Sequence, residues 1–178
     1  SRIVTGDAVY KYLAYLPHGY DDKENQDRRY PLIVFLHGQG GKGSDPRKLY
    51  SQSPIQDLQS REDPNFIVAA PLCPEGGGWV SPGLNKCLDQ IIDRFRVDTD
   101  RLYLTGISMG GHGTWSWAQE FPNRFAAIAP LCGSGSPAKA KLRLRHLPIW
   151  IFHGARDDVV PVERAYSMIR ALESVHGN

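Results

Sequence analysis

The chain has 178 residues and a mass of 19.9 kDa, which is the usual size of one domain. With 41% hydrophobic and 22% charged residues, its composition is that of a soluble folded protein and excludes a globally disordered one. A net charge of +2 makes a nucleic acid partner unexpected, and no apolar run approaches the roughly twenty residues that a membrane span needs.

Six stretches of the sequence have the apolar composition of β-strands. The run over residues 31–36 (PLIVFL) is continuously apolar and stops at His37-Gly38, which is typical of a strand covered on both faces. The stretch at 125–131 is the weakest of the six. Strands are predicted, in chain order, over residues 9–16, 31–36, 66–71, 102–105, 125–131 and 149–152.

Segments between these strands have the spacing of amphipathic helices. The clearest begins behind Ser81, a candidate N-cap, and carries apolar residues on one face. Helices are predicted over residues 82–96, 109–121 and 162–175. Because strands and helices alternate, we expect right-handed crossovers and a mostly parallel sheet with helices on both faces. The predicted fold class is an α/β three-layer sandwich that forms a single domain over residues 1–178.

The strongest chemical signal is Gly106-Ile107-Ser108-Met109-Gly110, a G-x-S-x-G between a predicted strand and a predicted helix. The glycines on either side of Ser108 allow a tight turn that lifts its hydroxyl out over the edge of the sheet. The helix that follows places a partial positive charge beside that hydroxyl. A glycine-rich turn with a serine N-cap is the alternative interpretation.

A carboxylate follows the last predicted strand, in His153-Gly154-Ala155-Arg156-Asp157-Asp158. From such a loop Asp157 could orient an imidazole and stabilise its cation. The alternative is an Asx turn or a cap on the next helix, and that description fits Asp158 better.

The loop after residues 31–36 reads His37-Gly38-Gln39-Gly40-Gly41. Its backbone amides can point into a site, so we expect the amide of Gln39 to join that of Met109 in an oxyanion hole. A phosphate cradle is the rival interpretation, but neither glycine-rich phosphate motif is present in the sequence. Trp79 could form a wall of a substrate pocket or pack in the core.

Nothing in this chemistry requires a metal ion or an organic cofactor. The three cysteines cannot pair completely and are too sparse for a zinc cluster, so free thiols are expected at Cys73, Cys87 and Cys132. The chain begins at Ser1, and a leader for secretion or for the periplasm could have been removed. The compartment therefore stays open.

Together, the segments PLIVFLHGQGGKGSD, APLCPEGGGW, VDTDRLYLTGISMGGHGTW and IFHGARDDVVP resemble the α/β-hydrolase superfamily. They are most similar to its phospholipase/carboxylesterase and predicted-esterase branch, close to feruloyl esterases and prolyl oligopeptidase-like hydrolases. The similarity runs from about Tyr12 to the end of the chain. It implies that Ser108 is the nucleophile, that Asp157 is the acid, and that Gln39 and Met109 supply the oxyanion amides.

One feature departs from that family. Its order is serine, acid, histidine, but only His176 follows Asp157 in this sequence. His176 falls near the end of a predicted helix, where a solvent-facing or capping histidine is expected. We therefore expect the triad histidine, and a further strand, beyond Asn178 in a longer protein. If the 178 residues alone were fully active, His112 or His176 would have to be considered as the base.

The expected function is a serine esterase that cleaves carboxylic esters of small molecules through an acyl-enzyme intermediate. Two alternatives stay open at this point. One is a peptidase of the prolyl oligopeptidase type, and the other is a non-catalytic binding module with a hydrolase-like fold. The oligomeric state and the ester that is cleaved are not indicated by the sequence.

Overall fold

One sheet organises the protein, which is described by a computed structural model over residues 1–59 and 64–176. Within these ranges its strands are β1 (Arg2–Gly6), β2 (Tyr12–Leu16), β3 (Tyr30–Leu36), β4 (Ile67–Pro71), β5 (Val97–Ile107) and β6 (Ala127–Leu131). Their order across the sheet is β1-β2-β4-β3-β5-β6. β1 and β2 run antiparallel to their neighbours, and the other four strands are mutually parallel, as predicted.

Helices connect the parallel strands. In the described part of the chain they are α1 (Ile55–Leu58), α2 (Ser81–Arg94), α3 (Met109–Glu120), α4 (Pro137–Arg143) and α5 (Glu163–His176), with short 3-10 turns at Lys23–Asn25, Gln39–Gly41 and Pro46–Tyr50. None of the helices in these ranges is long and apolar enough to cross a membrane.

The two faces of the sheet are covered to different extents. Alternate residues of β3, such as Leu32 and Val34, join α2 and α3 in the larger core, where Trp115 and Trp117 are fully buried. The opposite face packs on α1 and the 3-10 turn at Pro46–Tyr50 through β2 and β4. Farther along that face, β5 and β6 border an apolar groove of about 410 Å³.

Three elements were not predicted, namely β1, α1 and α4. β1 has the sequence RIVTG, which is too short and too polar to indicate a strand. It is a strand in the structure because it pairs with β2. α4 is a single helix of 7 residues in which the basic side chains are exposed, and Ser136 caps it by accepting a hydrogen bond from the Lys139 amide at 3.3 Å. Such short elements form because tertiary neighbours stabilise them.

Some predicted boundaries are wrong. β2 begins at Tyr12 rather than at residue 9, and β5 extends well beyond the predicted 102–105 on both sides. Ser81 is not the N-cap of α2, because Val80 occupies that position and makes no side-chain cap. The hydrophobic runs marked buried segments, whereas the exposed ends of the strands are determined by pairing with neighbours.

The predicted last strand, residues 149–152, forms a short parallel pairing with β6. The amides of Trp150 and Phe152 donate to the carbonyls of Ile128 and Pro130 at 3.0 and 3.1 Å. No strand within the described ranges pairs with the outer edge of this segment. Trp150 is 70% exposed there.

The start of α3 lies directly against the ends of two strands. A Cβ atom built on Gly110 would stand 1.9 Å from the carbonyl oxygen of Leu36 in β3. One built on Gly111 would stand 2.3 Å from the carbonyl oxygen of Leu131 in β6. Backbone therefore meets backbone at this point, and only glycine allows the approach.

Replacing Gly110 by alanine should destabilise the fold although alanine favours helix. We expect Gly110→Ala to lower the free energy of unfolding by about 1–3 kcal/mol, because the added methyl group forces the backbone of β3 away from α3. The midpoint of urea denaturation measures the loss. Gly78→Ala is the matched control, because no atom lies within 4 Å of a Cβ at Gly78. Equal midpoints for the two variants would contradict the packing argument.

Candidate active site

Ser108 occupies the sharp turn between β5 and α3. Its backbone angles are φ 55° and ψ −113°, a left-handed conformation that a residue with a side chain rarely adopts. Two hydrogen bonds of 2.9 Å hold the turn, from the Ser108 amide to Leu131 O and from the His112 amide to Ser108 O. This is the strained strand-to-helix turn that the G-x-S-x-G pattern predicted.

The loop after β3 lies beside this turn. A Cβ built on Gly38 would be 3.7 Å from the Cβ of Ser108, so the two backbones are close neighbours. Gln39 opens the 3-10 turn at Gln39–Gly41, and its amide, like that of Met109, donates no hydrogen bond to another described residue. Both amides are therefore available to a ligand at the N-terminus of α3, whose partial positive charge favours an anion.

A buried histidine fixes the loop after β3. His37 is 1% exposed, its Nδ1 lies 2.7 Å from Gly38 O, and its Nε2 lies 3.0 Å from the Cys73 amide. Because a carbonyl only accepts and an amide only donates, Nδ1 carries the proton and Nε2 accepts. Burial lowers the pKa of His37 from its usual 6.5, so the ring is uncharged at neutral pH.

Trp79 packs against the same loop. Its indole N–H donates to His37 O at 3.2 Å, and the ring centroids of Trp79 and His37 are 4.9 Å apart. The indole also lies over Gly113 of α3, where a Cβ would approach it to 2.8 Å. Trp79 thus braces the loop against α3, and its suggested role as a pocket wall stays a prediction.

Asp157 lies in the loop that follows residues 149–152. Its Oδ1 accepts hydrogen bonds from the Val159 and Val160 amides at 2.9 and 2.8 Å. These amides, Val160 foremost, hold the pKa of the Asp157 carboxyl below its usual value of 3.8, and the Cys132 side chain adds a weaker hydrogen bond. The Asx turn expected at Asp158 is therefore formed by Asp157, and this leaves Oδ2 as its second acceptor.

The end of β6 connects the turn at Ser108, the serine turn, to the loop of residues 153–160 that carries Asp157, the acid loop. Leu131 O accepts from the Ser108 amide, and the next residue, Cys132, donates its own amide to Phe152 O at 2.9 Å. Cys132 has a φ of 48°, so the chain turns sharply between these two contacts. The structure therefore places Ser108 and Asp157 at the same end of the sheet, on either side of β6.

No histidine whose side chain the structure describes hydrogen bonds to the Ser108 hydroxyl. The Nδ1 of His112 lies 2.9 Å from the Ser134 carbonyl oxygen and 3.0 Å from the Ser134 amide nitrogen, so this side of the ring is held against Ser134. His176 ends α5, and its side chain lies outside the described part of the structure.

An open cavity of about 340 Å³ separates the first turn of α3 from the acid loop. His112, Ser134, Val160 and Arg164 line it. Across the described residues, no group of histidine, cysteine, aspartate and glutamate side chains is arranged to hold a metal ion. The three cysteines are free thiols, two of them buried, as expected.

Known esterases share this fold and sequence. No family model matches the chain. The crystal structure of a thermostable esterase superposes on 98% of the chain, with a TM-score of 0.79 and 32% sequence identity. The chain belongs to the α/β-hydrolase superfamily. The predicted fold class is thereby confirmed.

Two curated relatives of the chain also carry esterase names. A bifunctional acetylxylan esterase/xylanase of Neocallimastix patriciarum is 30% identical over 79% of the chain, and a probable feruloyl esterase C of Aspergillus terreus is 28% identical over 94%. The chain spans 21% of the first relative and 62% of the second. A ferulic acid esterase structure with 18% identity matches it with a TM-score of 0.75 and supports the fold alone.

The lowered pKa of His37 predicts how stability depends on pH. Above pH 6.5 the His37 ring is uncharged in both the folded and the unfolded protein, so its full contribution to the free energy of unfolding is present. As the pH falls below 6.5, the unfolded chain binds a proton that the folded protein resists, and stability is lost. Denaturation of wild type and His37→Gln from pH 8 to pH 5 measures this; the advantage of wild type should shrink below about pH 6.5. A constant difference between the two proteins over that range would show that His37 does not contribute in this way.

Proposed function

We propose that this protein is a serine hydrolase of carboxylic esters. The observation that carries the proposal is the strained turn that presents Ser108 next to the Gly38 loop, with the unused amides of Gln39 and Met109 beside it. Free amides at a helix N-terminus stabilise an oxyanion better than a neutral carbonyl, which is the requirement for acyl transfer. The esterase names of the relatives support the same chemistry.

In the first half-reaction the Ser108 oxygen attacks the ester carbonyl carbon while its proton passes to an imidazole. The carbonyl oxygen gains negative charge and is held by the amides of Gln39 and Met109. Collapse of this intermediate breaks the ester C–O bond, and the imidazolium gives its proton to the departing alkoxide. The product alcohol leaves, and the acyl group stays on Ser108.

In the second half-reaction water replaces the alcohol. The imidazole removes a proton from water as its oxygen attacks the acyl carbon, and the same amides hold the oxyanion again. The C–O bond to Ser108 then breaks, and the serine oxygen recovers its proton from the imidazolium. The carboxylic acid product leaves, and Asp157 stabilises the imidazolium in both halves without taking its proton.

The imidazole is proposed to come from outside residues 1–178. No histidine that the structure describes reaches the Ser108 hydroxyl, and His112 is turned to Ser134. The unpaired outer edge of residues 149–152 supports this proposal. A strand added in parallel there would end beside the acid loop, because parallel strands share their carboxyl edge.

The substrate is proposed to be a carboxylic ester of a small molecule or of a carbohydrate side group. The names acetylxylan esterase and feruloyl esterase among the relatives support a test with acetyl and feruloyl esters. The relatives described above are named as esterases, which favours ester over peptide cleavage, and the intact serine turn disfavours a module that only binds. Trp79 is retained as a proposed wall of the acyl pocket.

Ser108 should be the residue that an active-site probe modifies. A fluorophosphonate incubated with the full-length gene product is expected to form one adduct, and peptide mapping should place it on Ser108. Ser108→Ala should abolish labelling and lower kcat for p-nitrophenyl acetate by at least about 10³-fold.

Ser116→Ala is the matched control, because Ser116 is exposed on the same helix. It should label and turn over like wild type. Labelling at any residue other than Ser108, or wild-type turnover by Ser108→Ala, would refute the proposed nucleophile. Faster cleavage of proline peptides than of esters would instead favour the peptidase.

The source of the imidazole is tested by adding native sequence. If the gene continues past Asn178, a protein that includes the downstream residues should hydrolyse p-nitrophenyl acetate about 10³-fold or more faster than residues 1–178 alone. Replacing each downstream histidine by alanine should identify one whose loss removes that gain. Full activity of residues 1–178 as a monomer would disprove this part of the proposal.

A further inference from the structure

His153 closes the acid loop onto itself. Its side chain is 4% exposed at the point where residues 149–152 end, and its Nε2 lies 2.7 Å from the carbonyl oxygen of Val160. A carbonyl can only accept, so Nε2 carries a proton. Nδ1 is buried and has no hydrogen-bond partner among the residues that the structure describes. The contacts therefore select the tautomer with the proton on Nε2.

Val160 links this histidine to the acid. Its carbonyl accepts from His153, and its amide donates to Asp157 Oδ1 at 2.8 Å. The Asp157 amide in turn donates to Gly154 O at 3.3 Å. Val160 thus accepts a hydrogen bond from His153 through its carbonyl and restrains the Asp157 carboxylate through its amide.

The arrangement leaves one carboxylate oxygen for catalysis. Asp157 Oδ2 lies 3.7 Å from His153 Nε2, which is too long for a hydrogen bond. Because the Nε2 proton is committed to Val160, His153 does not compete for Oδ2. Oδ1 already accepts from the Val159 and Val160 amides, and the Cys132 thiol is only a weak donor to the carboxylate, so Oδ2 keeps the capacity to accept the N–H of a catalytic imidazole.

We propose that His153 is a positioning residue for the reaction: its Nε2–H, donated to Val160 O, closes the 153–160 loop and so directs Oδ2 of Asp157 to the catalytic imidazole. This inference rests on the proposed function, in which Asp157 orients that imidazole. It differs from a merely structural role, because loss of the Nε2–H moves the carboxylate even when the protein stays folded.

Two substitutions of His153 each keep an N–H donor, but they place it at different positions of the former ring. The amide nitrogen of glutamine falls close to the position of a histidine Nε2, whereas that of asparagine falls close to Nδ1. His153→Gln therefore keeps a donor within reach of Val160 O, and His153→Asn does not. His146→Gln is the matched control, because His146 is exposed and lies outside the 153–160 loop, before residues 149–152.

The experiment uses the full-length gene product with p-nitrophenyl acetate. We expect His153→Asn to lower kcat by about 10- to 100-fold, as a small displacement of a catalytic group does, with KM changed by less than about twofold. His153→Gln should recover kcat to within about threefold of wild type. Asp157→Asn sets the scale of complete loss of the acid, about 10⁴-fold, and Asp158→Asn should match wild type.

Two measurements do not depend on turnover. Nitrogen NMR of the wild-type ring should show Nε2 protonated and Nδ1 bare. Hydrogen exchange of the Val159 and Val160 amides should be about tenfold faster in His153→Asn than in wild type, and close to wild type in His153→Gln. If His153→Asn does not fold, the proposed role of His153 is still tested by the ring tautomer of wild type and by kcat of His153→Gln.

The outcomes are distinguishable. Equal kcat losses in His153→Asn and His153→Gln, unchanged kcat in both, or a proton on Nδ1 of wild type would each overturn the role of His153. Absence of ester hydrolysis by wild type would instead refute the proposed function, and the tautomer and exchange data would then decide whether His153 closes the loop. The inference is supported if His153→Gln recovers kcat while His153→Asn does not, and if the Val159 and Val160 amides exchange more slowly in His153→Gln than in His153→Asn.

Discussion

The contact between the start of α3 and the ends of β3 and β6 is the constraint on which the candidate site depends. Gly110 and Gly111 bring the helix backbone against the carbonyls of Leu36 and Leu131. This approach holds Ser108 in a conformation that a free chain would leave, because a left-handed residue with a side chain costs about 1–3 kcal/mol. The same approach brings the Gly38 loop beside the serine. The turn, the loop and the free amides are thus consequences of one packing contact.

Buried imidazoles, rather than ion pairs, fix the two loops beside this turn. His37 donates through Nδ1 to the loop that carries Gln39, and His153 donates through Nε2 to the loop that carries Asp157. A short hydrogen bond to a backbone carbonyl orders a loop without adding a formal charge beside the reacting atoms. In the proposed mechanism the carboxylate of Asp157 stabilises the imidazolium, and the N-terminus of α3 stabilises the developing oxyanion.

The segment at residues 149–152 has two roles that are physically connected. It carries the acid loop at its end, and its outer edge has no strand partner in the described ranges. Unpaired strand edges and exposed aromatic side chains such as Trp150 are usually covered in folded proteins. Under the proposed function, an element that pairs with this edge would also lie beside Asp157 and would bring the imidazole to the acid.

The sequence by itself determined the alternation of strands and helices, the serine turn and the identity of the candidate acid, because buried runs and glycine-flanked turns are local patterns. It did not reveal β1 or α4, whose short segments acquire their structure only from neighbours. Nor could it show that Asp157, rather than Asp158, makes the Asx turn, since the two residues are adjacent and only the folded loop decides which carboxylate meets the Val159 and Val160 amides. The bracing of the loops by His37 and His153 also required the tertiary structure, because no residue pattern marks which backbone group an imidazole meets in the folded loop.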